Sequence, residues 1–489
     1  MQRSSQIFGG AFWSLVQRMG IVVISFVSNL LLVRLLSPDD YGCIGMLMIF
    51  IALSNTFIDG GFGSALIQKK TPTQVDYSTI FYWNLALSVV LYGLLWICAP
   101  IIAGFYHIDL LASVLRVQGI VLIINSLSII QQNVLRKQLL FKKMALVSIS
   151  SSLLSLGVAL YFALNGYGVW ALVAQQIAFS GFNALLYWLS GVWRPSWEFS
   201  FTSFKSLFGF GGYILASNLI ITFSNNVQGM IIGRLFTPAV MGLYAQARKL
   251  EEVASTTLST VVDQVSYPVL SEAQDDPQRH IGILRTLSIV SAYVCFPIIM
   301  LLIVVAEPLI TLLYSAKWLA CVPYFRILCV AGLVMCIYNL NYFAVASVGK
   351  SKELLRWTVV KRVAGLVFML IGVSIGGVNG LLWGMVVGIY LIYIINALLS
   401  ARIVGYKFGK QLLDLLPIIV VALAVSVLVW WMGNKIHLHI YGVLAIQILV
   451  YIFAYLLLSF VLRLEAVEML KHTVKRLMER RKISPKNLE

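Results

Sequence analysis

Residues 31–42 read LLVRLLSPDDYG, and residues 231–242 read IIGRLFTPAVMG. The offset is 200 with no gap, and the likeness extends upstream. Over positions 8–42 the pairs Phe8/Phe208, Gly9/Gly209, Leu15/Leu215, Ile21/Ile221, Val27/Val227, Arg34/Arg234, Leu35/Leu235, Pro38/Pro238 and Gly42/Gly242 are identical. A composition this biased gives about three such matches by chance. In each copy a long apolar helix ends in Arg, Ser/Thr-Pro turns the chain, and Gly opens the next helix. Proline lacks an amide donor and disfavours helix in the residue before it, which suits a corner. The chain therefore reads as a duplication of one helical unit.

The unit is a membrane unit. Of the 489 residues 60% are hydrophobic and 11% charged, with a mean hydropathy of +0.90. Apolar runs of about 20 residues, the length that crosses a bilayer core, recur throughout. The alternating ten-residue segments of a β-barrel are missing from the sequence. Fourteen helical spans are expected, at 11–36, 41–67, 79–105, 112–133, 145–164, 168–191, 208–235, 240–267, 286–313, 321–347, 357–375, 379–400, 412–433 and 440–462. The fold class is an all-α polytopic membrane protein. It has two parallel six-helix repeats around a central cavity and two C-terminal helices. The expected divisions are 1–205, 206–410, 411–463 for the extra pair, and 464–489 for a basic tail.

The net charge of +17 is spread in a way that speaks against nucleic acid. Lys69, Lys70, Arg136, Lys137, Lys142, Lys143, Arg194, Lys205, Arg279, Arg285, Lys350, Lys352, Arg402 and Lys407 fall on alternate loops. The other loops, SPDD at 37–40, HID at 107–109, NGYG at 165–168 and GGVN at 376–379, carry almost no cation. This bias places both termini in the cytoplasm. Arg3 followed by the first apolar run reads as an uncleaved first helix. The six cysteines sit in or beside apolar runs with no pairing pattern, as small buried hydrophobes do. Gly349-Lys350-Ser351 lacks the upstream glycine of a phosphate-binding loop, because position 344 is Ala. His437 and His439 have no carboxylate cluster to make a zinc site. No nucleophilic or paired-carboxylate arrangement can be built, and every loop is short. The expectation is a transporter, not an enzyme, with no cofactor.

Charge inside a bilayer is expensive, so intramembrane polar residues mark cavities or partners. The span at 240–267 is the outlier. Arg248, Glu252, Ser255, Ser259, Asp263 and Ser266 share one helical face, with Lys249 and Glu251 beside it. The span at 208–235 offers Asn225 and Gln228, and its counterpart at 11–36 offers Gln17 and Arg18. These residues predict a wet lumen lined by cations and amides, suited to a large, anionic, hydroxyl-rich cargo. Asp59, Glu251, Glu252 and Asp263 are the candidates for coupling to a proton or sodium ion, or for salt bridges to Arg18, Arg248 or Lys249. Arg34 and Arg234 suit a helix C-terminus, where a cation is favoured. A second echo of the repeat is Arg116 in VLRVQGI against Arg326 in YFRILCV.

DGGFGSALIQKK at 59–70, VLRKQLLFKKMAL at 134–146, YGVWALVAQQ at 167–176, WRPSW at 193–197 and IIGRLFTPAVMGLYAQARKLEE at 231–252 add up to a pattern. With LLVRLLSPDDYG the chain resembles the polysaccharide transporter family, the Wzx-type flippases of the multidrug/oligosaccharidyl-lipid/polysaccharide superfamily, over at least residues 1–410. The resemblance implies a bacterial inner-membrane flippase. It would carry undecaprenyl-pyrophosphate-linked oligosaccharide between leaflets for O-antigen, capsule or exopolysaccharide synthesis, by alternating access. Implied partners are the lipid-linked oligosaccharide, membrane lipids, and a polysaccharide polymerase or assembly protein. The implied contacts for pyrophosphate or acidic sugars are Arg18, Arg248 and Lys249, with Arg116 and Arg326 behind them. An ion-coupled multidrug exporter, a lipid II flippase of the same superfamily, or a membrane enzyme are the alternatives. Ala239-Val240-Met241 departs from the acidic-aromatic character expected after the corner proline.

Overall fold

The computed structural model describes residues 2–436 and 438–471. The basic tail beyond Lys471, and His437, lie outside them. The described residues are helical throughout, without strands. In chain order the helices are α1 (Gln2–Leu35), α2 (Pro38–Asp59), α3 (Phe62–Gln68), α4 (Gln74–Tyr106), α5 (Leu110–Gln118), α6 (Ile120–Lys137), α7 (Phe141–Leu164) and α8 (Val169–Leu189). They continue with α9 (Phe201–Leu235), α10 (Pro238–Glu272), α11 (Pro277–Val304), α12 (Ala306–Tyr314), a 3-10 turn (Ala316–Cys321), α13 (Val322–Ser347), α14 (Ser351–Ile403), α15 (Phe408–Gly433) and α16 (Ile440–Val461).

Among the described residues twelve segments are long and apolar enough to cross a membrane. The polar α10 has the length, at 35 residues. The 53-residue α14 is two spans, because Gly376 and Gly377 leave helical geometry and Gly377 takes φ 57°. These two additions give the fourteen spans expected. Two expected spans are each built of two helices: α2 and α3 meet at Gly60 and Gly61, both at positive φ, and α5 and α6 meet at Gly119.

The chain forms two compact units, Met1–Ala245 and Gln246–Glu489. In the first, α1 packs on α7, α7 on α8, α4 on α6, and α9 on α2, α3 and α4. The two corners of the repeat lie in this unit and touch. A Cβ on Gly42 would sit 1.9 Å from the Pro238 carbonyl oxygen, and one on Gly242 would sit 1.8 Å from that of Pro38. Each glycine is thus fixed by the other copy's proline. The first corner is closed by a capping box: Asp40 N–H donates to Ser37 Oγ at 3.3 Å, and Ser37 N–H to Asp40 Oδ2 at 2.8 Å. Val240 holds the corresponding place in the second corner and cannot return that bond. Arg234 lies over the Phe105 ring at 5.2 Å, an anchor for the end of α9.

In the second unit α13 packs on α11 and α14, and α15 on α11 and α16. One face of α15 and α16 joins the core of α11 and α13 through Ile418, Val425, Tyr451 and Tyr455. At one end Arg285 reaches both carboxylate oxygens of Asp414, at 2.8 and 2.9 Å, and Glu465 at 2.5 Å. Tyr406 Oη donates to Asp414 Oδ2 at 2.7 Å. This bidentate clamp ties the added helix pair to α11.

Candidate functional site

α10 carries the site, because its composition sets it apart from every other long helix. The expected stripe is divided between two faces. Ser255 and Ser266 are fully buried, Ser259 Oγ donates to the Met335 carbonyl at 3.4 Å, and Asp263 Oδ2 accepts from Asn339 Nδ2 at 2.8 Å. That part of the stripe is taken up by α13. Periodicity identified the face but could not say that a neighbouring helix would cover it.

The exposed face of α10 is polar as well. Lys249, Glu252, Thr256, Thr257 and Gln264 all lie on it. The Thr257 hydroxyl bonds back to the Val253 carbonyl at 2.6 Å, and Thr256 bonds likewise to Glu252. Bonds of this kind satisfy the hydroxyls but leave the face hydrophilic. Arg248, partly exposed, stands 4.0 Å from Glu252 one turn on. This is a loose helix-surface pair of small worth. Glu251 points the other way and is 6% exposed.

Gln17 Nε2 donates to Ser148 Oγ at 3.0 Å and staples α1 to α7. Arg18 and Asn225 are exposed. Gln228 Nε2 donates to the Ser224 carbonyl of its own helix at 3.0 Å. Arg116 Nε donates to the Trp96 carbonyl at 3.3 Å, and its guanidinium lies 4.3 Å above the Trp96 ring. Arg326 Nε donates to the Ile303 carbonyl at 3.2 Å. The matched pair therefore does matched work, each binding a carbonyl of a preceding long helix. Asp59 ends α2 beside the Gly60-Gly61 break, its carboxylate over Gly63 next to Asn133.

A match to the family model for "polysaccharide biosynthesis protein" covers residues 31–323, more than half of the chain. The chain belongs to this polysaccharide biosynthesis protein family. It is 24% identical over 451 residues to the lipopolysaccharide biosynthesis protein WzxC of Escherichia coli K12, covering 87% of this chain and 89% of that protein. It is 24% identical over 405 residues to the succinoglycan biosynthesis transport protein ExoT of Rhizobium meliloti 1021, covering 81% and 78%. In fold it is similar to the lipid II flippase MurJ in an inward closed conformation, with a TM-score of 0.73 at 15% identity, covering 92% of this chain and 98% of that one.

The family match takes in all of α10 and stops at the start of α13, so the polar residues of α14 lie beyond it. Sequence reading passed over two of them. Lys361 is 4% exposed, with Nζ donating to Asn396 Oδ1 at 2.7 Å. Arg362, beside it, is exposed. Both lie some ten residues inside α14, and Tyr338 is within electrostatic reach of Arg362 and of Asp263. The signal was a Lys-Arg pair inside the apolar run VVKRVAGLV. A span begun at 357, directly after a basic loop, concealed it.

Proposed function

We propose that this family member is a flippase for lipid-linked oligosaccharide, with a water-lined path along the exposed face of α10. One observation carries the reading: Lys249, Glu252, Thr256, Thr257 and Gln264 form an exposed polar face on a helix in the middle of an apolar chain. Such a face cannot lie in hydrocarbon, where a single Lys or carboxylate costs roughly 2.5–3.5 kcal/mol. It must meet water or a polar cargo. Sugar hydroxyls exchange readily with threonine hydroxyls and amides. Arg248 and Lys249 supply the cations that a diphosphate demands.

The relatives' names, lipopolysaccharide biosynthesis and succinoglycan biosynthesis transport, support a saccharide cargo. The carrier we infer is undecaprenyl pyrophosphate in the bacterial inner membrane, with both termini cytoplasmic and a polymerase receiving the product. The polar head follows the wet path while the polyprenyl chain stays in lipid. Alternating access moves the head from the cytoplasmic to the periplasmic leaflet, and no bond is made or broken.

Loss of the gene in its host tests this. Lectin labelling of right-side-out and inverted vesicles should find the lipid-linked repeat unit on the cytoplasmic face alone. A normal share on the periplasmic face would contradict the proposal.

A further inference from the structure

Among the described residues of the second unit, Glu251 is the buried carboxylate, and its surroundings are unusual. Its Oε1 has no partner in good hydrogen-bond geometry; the Ser255 hydroxyl one turn on lies close to it but is not aligned to bond it. No cation lies within ion-pair distance of it among the described residues. The space it fills exists because α13 has glycine opposite: a Cβ on Gly332 would stand 2.7 Å from Oε1. The titratable and charged groups around it are Arg248 and Glu252 on its own helix and the thiols of Cys329 and Cys336 on α13. Cys295 of α11 lies behind Cys336.

A bare carboxylate in such a place would cost more than any neighbour returns. A hard metal cation is a poor occupant, because it needs several oxygen ligands. This pocket offers one carboxylate, one hydroxyl and thiols, which suits a proton. We propose that Glu251 is the proton-binding site that couples this chain to a proton gradient. The carboxylate takes one proton from water to become a neutral acid, which lets it pack against Gly332. When α10 parts from α13 and water enters, the acid returns that proton to water and the charged form resists repacking. Glu251 is a positioning residue acting through the α10–α13 contact, and it touches no cargo. The proposal rests on the transporter reading for the meaning of the coupling but not for the site itself.

Infrared difference spectra of the purified full chain, taken across a pH titration without cargo, test the site directly. The carbonyl stretch of a protonated carboxylic acid should titrate in the wild type and be lost in Glu251→Gln. Gly332→Ala, which crowds the same oxygen and leaves the carboxyl in place, should shift that band. A spectrum unchanged in both variants would overturn the site. In proteoliposomes, an imposed proton gradient should speed cargo transfer by the wild type and leave Glu251→Gln indifferent to it. Equal acceleration of both would overturn the coupling. The spectrum needs no cargo, so it stays decisive even where the cargo assignment fails.

Discussion

Asp76 in the first unit and Glu251 in the second are both buried carboxylates, at 1% and 6% exposure, and their surroundings are opposite. Asp76 Oδ2 receives Lys69 Nζ at 2.7 Å and the Thr73 N–H at 2.8 Å, closing a capping box at the start of α4. Each carboxylate leaves one oxygen unbonded, Asp76 Oδ1 and Glu251 Oε1, but Glu251 has no counterpart of Lys69 at ion-pair distance among the described residues. Several polar groups inside the first unit bond one another between helices: Gln17 to Ser148, Gln175 to Ser28, Asn125 to Asn55, and Gln118 to Gln176, while the buried amides of Asn84 and Gln131 make no such bond. Even Lys137, on a basic loop, is spent on the carbonyls of Leu66 and Ile67 at the end of α3. The second unit keeps Glu251, Lys361 and Asp263 within its spans and a polar exposed face on α10. The difference is therefore local: α10 adds an exposed polar face and a buried carboxylate with no described cation at ion-pair distance to a unit whose Lys361 and Asp263 are bonded between spans, as several polar groups of the first unit are.

Four substitutions sharpen this comparison. The largest effect belongs to the corner, where backbone meets backbone. Gly242→Ala should cost about 3 kcal/mol or more, read as a lost monodisperse peak or a large drop in melting temperature in detergent. An unchanged melt would mean that the corners do not touch. Asp76→Asn should cost about 1–2 kcal/mol through a weakened cap and a half-screened ion pair. Gln17→Ala should cost about 0.6 kcal/mol, the usual worth of one hydrogen bond between membrane helices. Glu251→Gln should be the smallest, within about 0.5 kcal/mol of wild type, because a neutral amide replaces a neutral acid of the same shape. A loss as large as that of Asp76→Asn would abolish the contrast.

Much of this was legible in the sequence. Gly42 and Gly242 are identical for a reason composition could hint at and only packing explains: each lies against the other copy's proline. The turn at GGVN and the charge of α10 were open to reading because a glycine pair breaks a helix and charge in an apolar run stands out. The destination of each side chain was not. A 3.6-residue period gives a face without its neighbour, so the cover that α13 lays over Ser259 and Asp263 was invisible. Arg116 and Arg326 could be matched to each other, yet their carbonyl partners, Trp96 and Ile303, lie some twenty residues upstream and come close only in the fold. Lys361 and Arg362 were lost to a span boundary set too late, although charge well inside an apolar run was the cue that had identified α10.

Leaflet transfer of a labelled undecaprenyl-pyrophosphate oligosaccharide in proteoliposomes, compared among the wild type, Arg248→Ala and Gln17→Ala, tests the central claim. Transfer should exceed that of empty liposomes and fall about tenfold in Arg248→Ala, the equivalent of about 1.4 kcal/mol of transition-state binding. It should hold in Gln17→Ala per folded molecule. Equal rates in all three would contradict the assignment of cargo handling to α10, and no transfer by the wild type would contradict the cargo itself.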